Sequence, residues 1–269
     1  MDIKLIAIDI DGTLLNEKNQ LAPATIEAIT EARQKGIKVA LCTGRPITGV
    51  KPYLNKLGID GNDEYAITYN GALVETVDGK VLSKETVKYD DFLEIEMMSR
   101  EMGVHFQIET VDSITTTNRD ISPFSVEESH LVSMPIKYRT PGEITRDVNI
   151  YKLMYVDYPD KITKAKGNLP KSIYERMSVV QSSPVFLEFM NSNSSKGNAL
   201  KALSEQLGLK PDNVMAIGDQ GNDLSMIKFA GLGVSMGNGI EEIKKNAQFV
   251  TKPNSEDGVA YAINKYVNQ

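Results

Sequence analysis

Two rhythms of apolar and polar positions succeed one another along the chain. Residues 3–8 read IKLIAI, a short apolar run that fits a strand buried on both faces of a parallel sheet. Pro23 then stands at a first helical position, Ile26, Ile29 and Arg33 follow the helical period, and Gly36 supplies a stop. Residues 37–42, IKVALC, predict the next strand, so strand, helix and strand follow with short connections, the signature of a βαβ unit. A further strand at 65–69 runs into the turn signal Asn70-Gly71, with a hairpin around Asp78-Gly79 behind it.

Near Ser83 the rhythm changes. Longer and more polar segments follow to about Phe186, with alternating runs such as HFQIETV and YKLMYV and helical patterns over 89–102 and 159–174. The first rhythm then returns. Ser195 reads as an N-cap, Leu200, Leu203 and Leu207 share a helix face, Gly208 ends it, and 214–217 is another buried strand. Helix 224–230, strand GVSM, the turn GNG, a helix to about 246 and a closing helix over 258–267 complete the pattern. The expected architecture is α/β: a doubly wound, mainly parallel core assembled from residues 1–83 and 187–269, with an inserted α+β cap at 84–186. Hinges are expected near 83–85 and 184–187, and the cap as a lid that excludes water and sets specificity.

A length of 269 residues suits two moderate domains, and 41% apolar with 25% charged residues is the balance of an ordinary soluble globular chain. No run of about 18 apolar residues is present, which excludes a spanning helix, so no membrane partner is expected. The stretch MDIKLIAIDIDGT has neither a basic start nor a small-residue cleavage site, so the expected location is the cytoplasm. The lone Cys42 reads as a buried strand residue. With 30 basic against 36 acidic residues and the lysines scattered, nucleic acid is excluded as the main partner; oligomeric state is not legible.

Candidate chemistry gathers at strand ends. Asp9 and Asp11 close the first strand, Thr43 follows the second, Lys196 opens a helix, and Asp219, Asn222 and Asp223 follow a later strand. In an open parallel sheet, ligands bind beyond the carboxyl ends of the strands, so these clusters are expected to share one crevice. Two carboxylates about 4 Å apart repel by roughly 4 kcal/mol at an effective dielectric near 20. A cation is therefore required, and clustered oxygen ligands without Cys or His suit Mg²⁺ together with substrate phosphate. Thr43, Asn222 and backbone N–H groups around Ile10, Asp11 and Gly44 are candidate phosphate donors.

In order and type, DIDGT, TGR, the lysine of SKG, and GDQGND resemble the haloacid dehalogenase-like phosphatases. The long insertion and the closing NSEDGVA resemble the Cof-type branch with a type IIB cap and its bacterial sugar phosphatases. One departure is NSNSSKG, which lacks the glycine often found shortly before the lysine in that branch. The resemblance implies a Rossmann-like core and hydrolysis of small phosphate esters, most of all sugar phosphates. It implies Asp9 as nucleophile, Asp11 as proton shuttle, Thr43 and Lys196 on phosphoryl oxygens, and Asn222 on phosphate or metal-bound water. Asp219 would bind Mg²⁺ together with Asp9 and Asp11, with Asp223 supporting the site from behind.

Other residues carry weaker expectations. Arg45, Asn70 and Gly71 are candidate substrate contacts, although Arg45 reads equally as a salt-bridge residue and Asn70-Gly71 as a turn. Asn118, Arg119 and Lys152 in the insertion are polar residues in or beside strands that could face substrate, whereas His105 and His130 read as structural. A phosphomutase, which shares the aspartyl phosphate, and a phosphorylation-switched signalling or binding protein are the alternatives.

Overall fold

The computed structural model describes residues 2–268. Chain order begins with β1 (Leu5–Asp9), α1 (Pro23–Gln34), β2 (Lys38–Cys42), α2 (Ile47–Lys56), β3 (Tyr65–Thr68), β4 (Leu73–Thr76) and β5 (Val81–Lys84). It continues with α3 (Tyr89–Met102), β6 (Phe106–Glu109), β7 (Ile114–Thr116), α4 (Pro123–Val132), β8 (Ile136–Tyr138) and β9 (Lys152–Val156). Next come α5 (Pro159–Gly167), α6 (Lys171–Arg176), β10 (Met177–Ser183) and β11 (Phe186–Asn191). The last part holds α7 (Lys196–Gln206), β12 (Val214–Gly218), α8 (Leu224–Phe229), β13 (Leu232–Ser235), α9 (Glu241–Asn246), β14 (Phe249–Val250) and α10 (Gly258–Tyr266).

Two compact units result, one from the residues up to 84 and from 195 onward, the other from Glu85–Ser194. In the first unit an eight-stranded sheet runs β14-β13-β12-β1-β2-β3-β4-β5, parallel throughout except where β4 pairs with β3 and β5. Its strands are apolar on both faces because helices cover both. Ile6 and Ile8 of β1 pack with Ile29, Val50, Leu54 and Ile263 on one side. Leu5 and Ala7 pack with Leu200, Leu203, Met226 and Ile243 on the other. This is the doubly wound α/β core that the apolar runs predict. The order in which strands are laid changes side at β1, whose parallel neighbours are β12 on one edge and β2 on the other, so ligand-binding ends converge beside Asp9.

The second unit carries a sheet ordered β10-β11-β9-β6-β7-β8, antiparallel except between β7 and β8. One face bears Phe106, Ile108, Leu153, Tyr155, Leu187 and Phe189, packed under Phe92 and Ile95 of α3, Ile162 of α5 and Ile173 of α6. Strand alternation puts Gln107, Glu109, Lys152 and Glu188 on the opposite face.

Three features differ from the pattern reading. The chain returns to the first unit at residue 195, eight residues beyond the expected 187, because Phe186–Asn191 is a strand paired with both β9 and β10. The expected hinge at 184–187 is thus the turn and first residues of a hairpin. The helical pattern over 159–174 is broken into α5 and α6 at Asn168-Leu169-Pro170, where proline removes a donor and disfavours helix before it. Finally, α2 forms with Pro52 inside it, held by the burial of Ile47, Val50 and Leu54.

Candidate functional site

The chain leaves β1 at Asp9 and turns at once through Gly12, whose φ of +82° is open to glycine. A Cβ on Gly12 would lie 2.6 Å from Asp219 Oδ2, so this glycine also makes room for the carboxylate arriving from β12. Beside it, Thr13 Oγ1 donates to Asp219 Oδ1 at 2.8 Å and the Gln220 side-chain amide donates to Oδ2 at 3.0 Å. Both supporting residues lie inside the quoted motifs, yet sequence reading assigned them no role.

Lys196 opens α7 and is fully buried. Its Nζ donates to Asp9 Oδ1 at 2.5 Å and to Asp223 Oδ1 at 2.6 Å. The other oxygen of Asp223 accepts the backbone N–H groups of Asp219 and Gln220, both at 2.9 Å. Both oxygens of Asp223 are thus committed to holding the loop and the lysine. Ser195 caps α7 by accepting from Asn198 N–H at 3.1 Å. Gly197 allows α7 to seat against Ser225, since a Cβ there would lie 2.6 Å from the Ser225 backbone.

Thr43 follows β2, and its Oγ1 accepts the Arg45 N–H at 3.1 Å, which leaves its hydroxyl proton to donate. Asn70 adopts φ +54° after β3, and its N–H donates to Thr43 O at 2.9 Å. Its Oδ1 accepts from Asn222 Nδ2 at 3.0 Å, so the turn after β3 is tied to the loop after β12. At Gly71 a Cβ would fall 2.2 Å from Ser195 O, so the Asn70-Gly71 turn has a steric reason. Ile10 points its side chain into the core and offers only backbone, and Gly44 sits close against the Asn70 side chain.

Electrostatically the site lacks positive charge. Burial, and then the charge of Asp223, pushes the Asp9 carboxyl well above the usual carboxylate range, against the pull of Lys196. Burial likewise raises Asp219. Lys196 is held protonated because Asp223 and Asp9 outweigh its desolvation. Burial pushes the nearby Cys42 thiol up to about 12, so it is no nucleophile. Asp9, Asp219 and Asp223 each bring a carboxylate oxygen within 4.8 Å of the others. An all-oxygen set short of positive charge, with Asp9 and Asp219 keeping coordination capacity, fits a hard divalent cation such as Mg²⁺.

Asp11 stands apart from this group, although sequence reading placed it among the metal ligands. Its carboxylate turns to Arg45, whose Nε donates to Oδ2 at 2.9 Å and whose Nη2 donates to Oδ1 at 2.5 Å. The physical reason is the fork: a guanidinium matches both carboxylate oxygens at once.

The weaker candidates in the second unit are engaged structurally. Asn118 Oδ1 accepts the Phe106 N–H at 2.8 Å, and Arg119 lies exposed with its side chain bonded to Tyr138. Lys152 is buried among Glu109 at 3.3 Å, Glu188 at 3.4 Å and Glu128 at 4.0 Å. His105 Nδ1 lies 2.7 Å from Asp157 Oδ2, a contact between the start of β6 and the end of β9.

Carboxylates and a buried lysine gathered where β12, β1 and β2 end define an α/β protein with an acidic ligand site at a topological switch point. The particular family follows from comparison. A profile of the haloacid dehalogenase-like hydrolases matches residues 6–263, and the chain belongs to that family. A protein of Streptococcus pyogenes serotype M6, provisionally designated a phosphatase, is 44% identical over 268 residues, covering 99% of both chains. The 5-amino-6-(5-phospho-D-ribitylamino)uracil phosphatase YwtE of Bacillus subtilis is 31% identical, again covering 99% of each. Among solved structures, a haloacid dehalogenase-like hydrolase from Bacteroides thetaiotaomicron superposes with a TM-score of 0.88 at 31% identity, covering 98% of this chain and 99% of its own. No helix among the described residues is long and apolar enough to cross a membrane.

Proposed function

We propose that this protein is a Mg²⁺-dependent phosphatase that hydrolyses small phosphorylated polyhydroxy metabolites, sugar phosphates above all, through an aspartyl-phosphate intermediate. The observation that carries the reading is the Asp9 carboxylate at the end of β1, buried and held by Lys196 at 2.5 Å, with Asp11 two residues on. Family membership supports phosphoric monoester hydrolysis. The substrate named for YwtE, a phosphorylated ribitylamino compound, supports the polyhydroxy class.

In this reading an Asp9 oxygen attacks phosphorus, the ester P–O bond breaks, and Asp11 gives its proton to the departing alkoxide. Water then attacks the phosphoryl group, Asp11 takes the proton, and the Asp9–phosphorus bond returns its electron pair to Asp9. Thr43 and Asn222, with backbone N–H groups at Ile10 and Gly44, hold phosphoryl oxygens, and Lys196 offsets the charge that gathers there. Mg²⁺, held by Asp9 and Asp219, would supply charge neutralisation for the transferring group.

The test is phosphate release from a panel of phosphorylated metabolites, with p-nitrophenyl phosphate as a generic probe, in Mg²⁺ and in excess EDTA. Release abolished by EDTA and by Asp9→Asn, ranking sugar phosphates first, is expected. Metal-dependent turnover surviving in Asp9→Asn overturns the mechanism, and isomer in place of free phosphate marks a mutase.

A further inference from the structure

We infer that Arg45 is a positioning residue that holds Asp11 for the water-attack half of the reaction; this rests on the phosphatase reading above. Arg45 engages both oxygens of one carboxylate, Nε to Oδ2 at 2.9 Å and Nη2 to Oδ1 at 2.5 Å. Two N–H donors placed on its two oxygens match the geometry of a carboxylate acceptor. That is the form in which it can take a proton from water, not the form in which it gives one to a leaving group.

Arg45 is itself fixed. Its N–H donates to Thr43 Oγ1 at 3.1 Å, and its C=O accepts the Tyr69 N–H at 3.2 Å. Its guanidinium lies 5.7 Å from the Tyr53 ring centroid, with Nη1 3.5 Å from the Tyr53 hydroxyl. It thus refers Asp11 to the turn that carries Thr43 and to α2. Asp11, by contrast, has a side chain 54% exposed and, among the described residues, no other side-chain partner that would select one rotamer. An ion pair with so exposed a partner contributes little to folding stability, so orientation is what the contact supplies.

In the step concerned, a water oxygen bonds to phosphorus, its proton passes to Asp11, and the bond from Asp9 to phosphorus breaks towards Asp9. Asp11 must be on line for that water, and displacement of such a group by about 1 Å can cost on the order of 100-fold. Leaving-group release comes before this step, so the two halves of the cycle depend on Arg45 unequally.

The experiment separates those halves with p-nitrophenyl phosphate in Mg²⁺, since kcat/KM covers the steps only as far as leaving-group release. In Arg45→Ala, kcat falls roughly 10- to 100-fold while kcat/KM changes only a few-fold. Rapid-quench then shows a burst of p-nitrophenolate approaching one per enzyme as phosphoryl-enzyme accumulates. Arg45→Lys, a cation without the fork, lies between, and Tyr53→Phe shows a smaller loss with the same signature. Both conservative variants carry the burst test should Arg45→Ala fail to fold. Equal loss in kcat and kcat/KM without a burst, a rise in KM alone, or no change overturns the inference and leaves the phosphatase reading standing. A wild-type protein that releases no phosphate from any ester overturns both.

Discussion

Gly12 has two demands placed on it: a left-handed φ of +82° and clearance for Asp219 Oδ2, which a Cβ would approach to 2.6 Å. Backbone strain for an L-residue in that region is of order 1–2 kcal/mol, an amount the fold can absorb. The clash is met by moving the far end of the Asp219 side chain, away from where Asp9 requires it. Gly12→Ala is therefore expected to fold yet need about tenfold more Mg²⁺ for half-maximal phosphate release, as measured by metal titration. An unchanged requirement would show that Asp219 position does not set metal affinity. Part of this scale was legible: Asp9, Lys196, Asp219 and Asp223, which stand far apart in the chain, lie together. The Arg45 fork on Asp11 was not, because the pairing across 34 residues depends on rotamers that no local pattern encodes. Nor did sequence spacing show that Asp223 is taken up by the Lys196 ammonium and two backbone N–H groups, whereas Asp219 accepts one side-chain donor on each oxygen.

Among elements, the second sheet carries the most unusual chemistry. Glu109 of β6, Lys152 of β9 and Glu188 of β11 meet Glu128 of α4, three carboxylates around one ammonium, all nearly inaccessible. One positive charge cannot balance three negative ones in a buried site. Burial first, with Glu128 and Glu188 adding and Lys152 opposing, raises Glu109 to about 8. Its unfolded value is about 4.3, so folding takes up a proton between these limits. The stability contributed is fully present below about 4.3 and is lost as pH rises through about 8. Urea unfolding from roughly pH 5 to pH 9 is expected to show this decline in the wild type and a flatter profile in Glu109→Gln. Parallel declines would exclude Glu109 as its source. Alternating strands were legible in this unit, but a lysine in YKLMYV does not announce three glutamates from other elements. Helix α2 contains Gly49 and Pro52, both unfavourable to a helix, and burial of Ile47, Val50 and Leu54 overrides them.

At the scale of the molecule, each unit has its own sheet and its own core. The clustered carboxylates Asp9, Asp219 and Asp223 all belong to the first unit. If Mg²⁺ binds there as proposed, mass action stabilises that unit by about 2.7 kcal/mol at 100 times the dissociation constant. Calorimetric scans with and without Mg²⁺ are expected to resolve a transition that rises with the metal and another that does not. A uniform shift would mean that the two units unfold as one. The insertion was legible in the change of rhythm near Ser83, whereas its far boundary was not, since β11 has the apolar content of a core strand.

The central strand β1 has a consequence for synthesis. Its partner β12 lies more than 200 residues further along, as the Thr13–Asp219 hydrogen bond spans 206 positions. At ribosomal rates of roughly 5–20 residues per second, Asp9 precedes Asp219 by about 10 to 40 s. Throughout that interval one edge of β1, apolar over Leu5–Ile8, lacks its partner β12. A chain cut short before residue 214 lacks β12, and the edge of β1 it leaves unpaired is a template for aggregation.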